Sequence, residues 1–154
     1  MTQQDRDFVD VIKDICRKDS RYDRDAYFFV RESLDFTSKS LNKPSEGAGR
    51  HVSGPELLEG LRAYALQEFG PMALTVLNAW GLRNTGDVGE IVFNLVESGK
   101  LGKTHEDKKD DFANGYDFHE AFAKPFMPAS AREPAGMDRK KVNRRRKTPA
   151  RKGN

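Results

Sequence analysis

Ser53-Gly54-Pro55-Glu56-Leu57-Leu58-Glu59-Gly60-Leu61-Arg62-Ala63-Tyr64-Ala65-Leu66-Gln67-Glu68-Phe69-Gly70-Pro71-Met72 opens a run of helix signals that continues to Gly99. Ser53 and Glu56 have the spacing of a capping box, and Pro55 supplies helical φ, so a helix is expected to start here. Leu57, Leu58, Leu61, Ala65 and Phe69 recur at steps of three and four and form one apolar stripe. Gly70-Pro71 ends that helix and Pro71 opens a second, lined by Met72, Val76, Leu77 and Trp80 and closed by a left-handed cap at Gly81. After Asn84-Thr85-Gly86, the residues Val88, Ile91, Val92, Leu95 and Val96 mark a third, closed by Gly99.

Toward the N-terminus, Phe8, Val11, Ile12 and Ile15 put Asp5 to Lys18 into an amphipathic helix with Cys16 at the edge of its apolar side. Asp23 or Asp25 is then placed to cap a helix along Tyr27, Val30, Leu34, Thr37 and Leu41, widened by Phe28, Phe29 and Phe36. Asn42 to Val52 carries turn residues without period and reads as a loop. Beyond the polar stretch Lys103 to Asp111, Asn114-Gly115 tolerates the positive φ angles of a tight turn, so a small β-hairpin is read near residues 101–118. Asp117 and Glu120 have cap spacing for a short helix through Phe122, stopped before Pro125, with Phe118, Phe122 and Phe126 packing back on the core.

The expected fold is therefore mainly α: five to six helices and a candidate small hairpin in one globular domain over residues 5–127. From Pro128 on, the chain is charged and rich in Pro and Gly, with Met137 and Val142 its large apolar residues. Such a segment cannot offset the entropy of ordering, and residues 128–154 are expected to be a basic, disordered tail.

Charge is divided between these two parts. From Ala129 onward ten Lys/Arg face two acidic residues, a net charge of +8, and the remaining 17 basic and 22 acidic residues leave −5. Cys16 is the sole cysteine, which excludes an intramolecular disulfide and an all-cysteine metal site within one chain. The N-terminus lacks a basic then apolar leader pattern, and no stretch reaches the ~20 apolar residues of a membrane span. A cytoplasmic protein without a membrane partner is expected.

Arg50-His51-Val52-Ser53-Gly54-Pro55-Glu56-Leu57-Leu58-Glu59-Gly60, Glu68-Phe69-Gly70-Pro71-Met72-Ala73, Gly89-Glu90-Ile91-Val92-Phe93-Asn94 and Gly115-Tyr116-Asp117-Phe118 together resemble an uncharacterised bacterial family, a domain of unknown function. The likeness covers roughly residues 8–126. It implies a bacterial cytoplasmic setting and brings no activity, cofactor or catalytic residue.

The tail carries the main functional signal. Arg139, Lys140, Lys141, Arg144, Arg145, Arg146, Lys147, Arg151 and Lys152 place cations at a density suited to a phosphate backbone, where each neutralised phosphate releases a counterion. The planar fork of Arg fits phosphate oxygens better than an ammonium does. No aromatic lies between these cations, which argues against base stacking. The same cations also read as a solubilising terminus. A winged-helix reading of the helical trio is disfavoured, because Asp87, Glu90, Asn94 and Glu97 would put carboxylates toward DNA phosphates.

Arg50 and His51, beside Gly47 and Gly49 and before a helix start, form a candidate anion pocket whose competing reading is a surface His next to a cap. A calcium loop beginning at Asp110 fails, since its third and twelfth positions are Phe112 and Ala121. No zinc ligand spacing is present, and no metal or cofactor is expected. Ser53 reads as a cap, Cys16 as a small apolar residue, and Tyr22, Tyr27 and Tyr64 as packing residues whose hydroxyls reach the surface.

Three functions stay open. The leading one is a non-enzymatic bacterial adaptor whose tail contacts RNA or a ribonucleoprotein while the acidic body meets a protein partner. The second is a protein-interaction domain with a solubilising tail. The third is an enzyme using Arg50-His51 or the acidic segment after Lys103.

Overall fold

A computed structural model describes residues 3–43, 52–99 and 109–128. Helix α1 spans Gln3–Lys18, α2 Arg24–Ser40, α3 Gly54–Phe69, α4 Ala73–Ala79, α5 Thr85–Glu97, α6 Asp110–Ala113 and α7 Phe118–Phe122, with 3₁₀ turns at Gly70–Met72 and Lys124–Phe126. The protein is mainly α, and no strand occurs among the described residues. No described helix is long and apolar enough to cross a membrane.

The starts follow the sequence signals. Ser53 Oγ accepts from Glu56 N at 3.2 Å while Glu56 Oε1 accepts from Ser53 N at 2.9 Å, a complete capping box. Asp23 caps α2, Asn84 and Asp87 make a second capping box on α5, and Asp117 caps α7. Each satisfies N–H groups that a helix start leaves without an internal partner.

Helices α2 and α3 are the central pair. Helices α1 and α5 pack on α2, and α4, α6 and α7 pack on α3. Tyr27, Val30, Leu61, Ala65, Leu77, Leu82, Val88, Ile91, Leu95 and Phe122 are fully buried between them. Truncating one of these leucines to alanine costs about 2–5 kcal/mol through lost transfer free energy and a residual cavity.

Gly60 of α3 sits directly against Thr37 of α2. A Cβ there would stand 1.7 Å from Thr37 Oγ1, so only glycine allows this approach. Thr37 Oγ1 donates back to Ser33 O at 2.6 Å and stays satisfied in the seam. Ser33 Oγ is buried there and has no hydrogen-bond partner among the described residues.

The hairpin expected around Asn114-Gly115 is replaced by α6. Phe112 inserts where Gly54 and Gly89 leave room, and Gly115 lies against Leu58 and Thr85. Thr85 Oγ1 donates to Phe112 O and accepts from Gly115 N, so one buried hydroxyl fixes the turn to the start of α5. Asn114-Gly115 thus closes a helical turn instead of joining two strands; residues 101–108, the other half of that reading, lie outside the described residues.

Three apolar residues end on the surface instead of in the core. Leu41, Met72 and Phe126 are 45%, 55% and 44% exposed, whereas Phe118 and Phe122 pack inward as expected. Leu41 falls past the last turn of α2, and Met72 and Phe126 fall on 3₁₀ turns, whose period shifts a side chain off the α-helical stripe.

Candidate functional site

The turn between α1 and α2 lies against the turn between α4 and α5. Gly81 takes φ +94°, a conformation an L side chain rarely adopts, and a Cβ there would meet Arg21 O at 2.4 Å. This lets Asp23 N donate to Trp80 O at 3.0 Å. Asp87, already part of the α5 cap, accepts from Arg83 N at 2.8 Å, from Asn84 N at 3.2 Å and from the Tyr22 hydroxyl at 2.7 Å. Two turns far apart in sequence are locked edge to edge.

Between them opens a shallow cleft of about 560 Å³ whose lining includes Arg21, Arg24, Arg83, Asn78, Trp80 and Cys16. Arg21 is already occupied. Its guanidinium donates to Asp19 at 2.9 and 2.7 Å and to Glu90 at 3.3 Å, and the hydrogen bond from Arg21 holds the Asp19 carboxyl well below the usual carboxylate range. Asn94 Nδ2 supports the same carboxylate at 3.1 Å and reaches the Tyr27 hydroxyl at 3.0 Å.

Arg24 and Arg83 are exposed and make no ion pair among the described residues. Asp23 also lines the cleft, but its Oδ1 accepts from Asp25 N at 2.8 Å as the cap of α2. Arg24 and Arg83 present two guanidiniums to a small anionic group such as a phosphate, while at the Cys16 end of the cleft Asp23 and Asp19 oppose Arg24. The chemistry of a nucleophile is missing: burial first, then Asp23 and Asp19, push the Cys16 thiol up, which keeps it protonated at neutral pH. Among the described residues no histidine lines the cleft.

The tail cations, Arg139, Lys140, Lys141, Arg144, Arg145, Arg146, Lys147, Arg151 and Lys152, lie outside the described residues, as do Arg50 and His51. Of the acidic segment, Asp110 and Asp111 occupy the first turn of α6, and His119 is exposed on α7. No group of three His, Cys, Asp or Glu among the described residues is arranged to hold a metal ion.

Two tyrosines correct the expectation that their hydroxyls reach the surface. Tyr22 and Tyr27 are 4% and 0% exposed, their hydroxyls engaged by Asp87 and Asn94. The polar positions of α5, set aside above as unsuited to DNA, are joints: Asp87, Glu90 and Asn94 all hold the α1–α2 turn. The arginine cleft itself was not legible in sequence. Arg21 and Arg83 sit in breaks between helices and Arg24 at a helix start, and nothing local shows that these places adjoin.

Compared with protein-family models, curated proteins and solved structures, the chain matches none.

Proposed function

We propose that the protein is a non-enzymatic adaptor of the bacterial cytoplasm that holds RNA or a ribonucleoprotein through its basic C-terminal residues, while the acidic body meets a protein partner. The observation that carries this reading is the charge division: nine Lys/Arg between positions 139 and 152 on a chain whose first 128 residues carry −5. Cations at that density neutralise consecutive phosphates, and counterion release supplies affinity without regard to base sequence. Arg24 and Arg83 support it from the body, as two further exposed cations that line one cleft.

The cleft favours binding over catalysis. A protonated Cys16 and two guanidiniums suit the holding of an anion, and the carboxylate that lines the cleft, Asp23, is engaged as the cap of α2. The test is retention on immobilised RNA over a range of salt. Removal of residues 129–154 is expected to abolish retention and flatten its dependence on ionic strength; equal binding by the shortened chain would show the tail assignment to be wrong.

A second reading, a protein-interaction domain with a solubilising tail, draws support from the half-exposed rings along α2, α3 and α4. Capture of the same partner protein at high salt, with nuclease present and the tail removed, distinguishes it from the first.

A further inference from the structure

We propose that the aromatic face formed by α2, α3 and the end of α4 is a docking surface for this chain's own Arg139–Lys147 segment, which a polyanion displaces. The inference rests on the reading of that segment as phosphate-binding and adds a competitor for it within the same molecule.

The face is a continuous row of rings. Phe36 lies 5.1 Å from Tyr64, Tyr64 5.4 Å from Phe29, and Phe29 5.5 Å from both Phe69 and Trp80, which are 5.8 Å apart. Phe29 is buried, and the other four rings are half-buried. Met72, 55% exposed, follows Phe69 by three positions. Phe36 is not packed against the main hydrophobic cluster and leans on Tyr64 instead.

Carboxylates gather around the middle of this row. Burial first, and then Glu32, Glu68 and Asp35, raise the Tyr64 hydroxyl above its ordinary value, which puts three acidic side chains within electrostatic reach of one ring. Asp35 pairs with Lys39 at 3.0 Å, and among the described residues Glu68 accepts a 3.4 Å contact from Gln67. Rings flanked by carboxylates suit a guanidinium, which stacks on the ring face while its N–H groups reach the acids. The complementary occupant is rich in Arg and carries an occasional apolar residue. Arg139-Lys140-Lys141-Val142-Asn143-Arg144-Arg145-Arg146-Lys147 has that composition.

The tether selects this occupant over a basic segment of another protein. Ten residues separate Pro128 from Arg139, and at about 3.3 Å each they span up to about 35 Å, enough to run from the end of α7, which packs on α3 and α4, to the face those helices share with α2. A tethered segment acts at an effective concentration in the millimolar range, above that of a free competitor.

The full-length protein, labelled with ¹⁵N, tests this directly. Its amide spectrum is compared at low salt with that of a variant in which the nine tail cations are replaced by Gln. Shift differences are expected at residues 32–36 and 64–69, independent of protein concentration, and they are expected to vanish in E32Q/D35N/E68Q. Differences that are absent, that lie on other helices, or that grow with protein concentration would overturn docking within one chain. Affinity for poly(U) provides the second arm: a tail free about one-third of the time binds about threefold more weakly than a free one. E32Q/D35N/E68Q is therefore expected to bind about threefold more tightly than a variant neutralised at Asp10, Glu97 and Asp110; equal affinities would overturn the competition. Failure of every variant to bind poly(U) would defeat the RNA reading, and the spectra would still decide the docking.

Discussion

The Tyr22 hydroxyl donates to Asp87 Oδ1 at 2.7 Å, joining residues 65 positions apart. The same carboxylate accepts from the backbone N–H of Arg83 and Asn84, so one side chain caps α5, fixes the backbone that carries Arg83, and anchors the turn that carries Arg24. The arginine cleft depends on this joint. Asp87→Ala is expected to cost about 2–3 kcal/mol, since it strands three donors, and Tyr22→Phe about 1 kcal/mol. Urea denaturation measures both; a Tyr22→Phe loss equal to that of Asp87→Ala would mean that the backbone contacts contribute nothing.

Neutralising the cleft reports on its use. If Arg24 and Arg83 each contact a phosphate, Arg24→Gln with Arg83→Gln lowers the slope of log K against log salt for RNA by about 1.4, at about 0.7 per phosphate on a single strand. Stability should change little, because both side chains are exposed and make no ion pair among the described residues. An unchanged slope would remove the cleft from the binding surface and leave the tail alone responsible.

Most of the fold was legible in sequence, because its helices carry their own punctuation. Ser53 and Glu56, Asp23, Asn84, and Asp117 act locally, and a capping pattern needs no knowledge of the rest of the chain. The misread region was Asn114-Gly115, where turn chemistry alone does not distinguish a hairpin from a helical turn. The deciding contact is tertiary: Thr85, thirty residues earlier, takes both Phe112 O and Gly115 N. The cleft was invisible for the same reason. Arg24 and Arg83 come together through Gly81 and Asp87, and those constraints appear only once α4 and α5 are placed beside α2.

The α2–α3 seam offers two substitutions of opposite sign. Gly60→Ala drives a methyl into Thr37 and is expected to cost more than about 3 kcal/mol, at the upper end for a single overpacking change. Ser33→Ala removes a buried hydroxyl that has no partner among the described residues and is expected to be neutral or stabilising by up to about 1 kcal/mol. Thermal denaturation with matched far-ultraviolet spectra checks both. A destabilised Ser33→Ala would show that the hydroxyl is satisfied in solution.

Alkaline pH should loosen the body before it affects the arginines. Burial above all pushes the Tyr27 hydroxyl up to about 12, against about 10 for an exposed tyrosine. The folded state therefore keeps its proton where the unfolded state has lost it. That stability is fully present below about pH 10 and is lost as pH rises through 12, at about 1.4 kcal/mol per pH unit in that window. Denaturant midpoints between pH 9 and 11.5 should fall less steeply in Tyr27→Phe than in the wild type. Parallel curves would place the loss at other groups, such as Tyr22 and Tyr116, which burial also raises.

The proposed function stands or falls with the hold of the C-terminal cations on a polyanion. Its most direct test is the affinity of the full-length protein for poly(U) at a series of salt concentrations, beside a variant with Gln at Arg139, Lys140, Lys141, Arg144, Arg145, Arg146, Lys147, Arg151 and Lys152. The wild type is expected to give a log–log slope approaching about −8, of which about −6 comes from the nine tail cations and about −1.4 from the cleft. The Gln variant should bind so weakly that only a slope near about −1.4, from the cleft, remains. Equal affinity and equal slope for the two proteins would contradict the account.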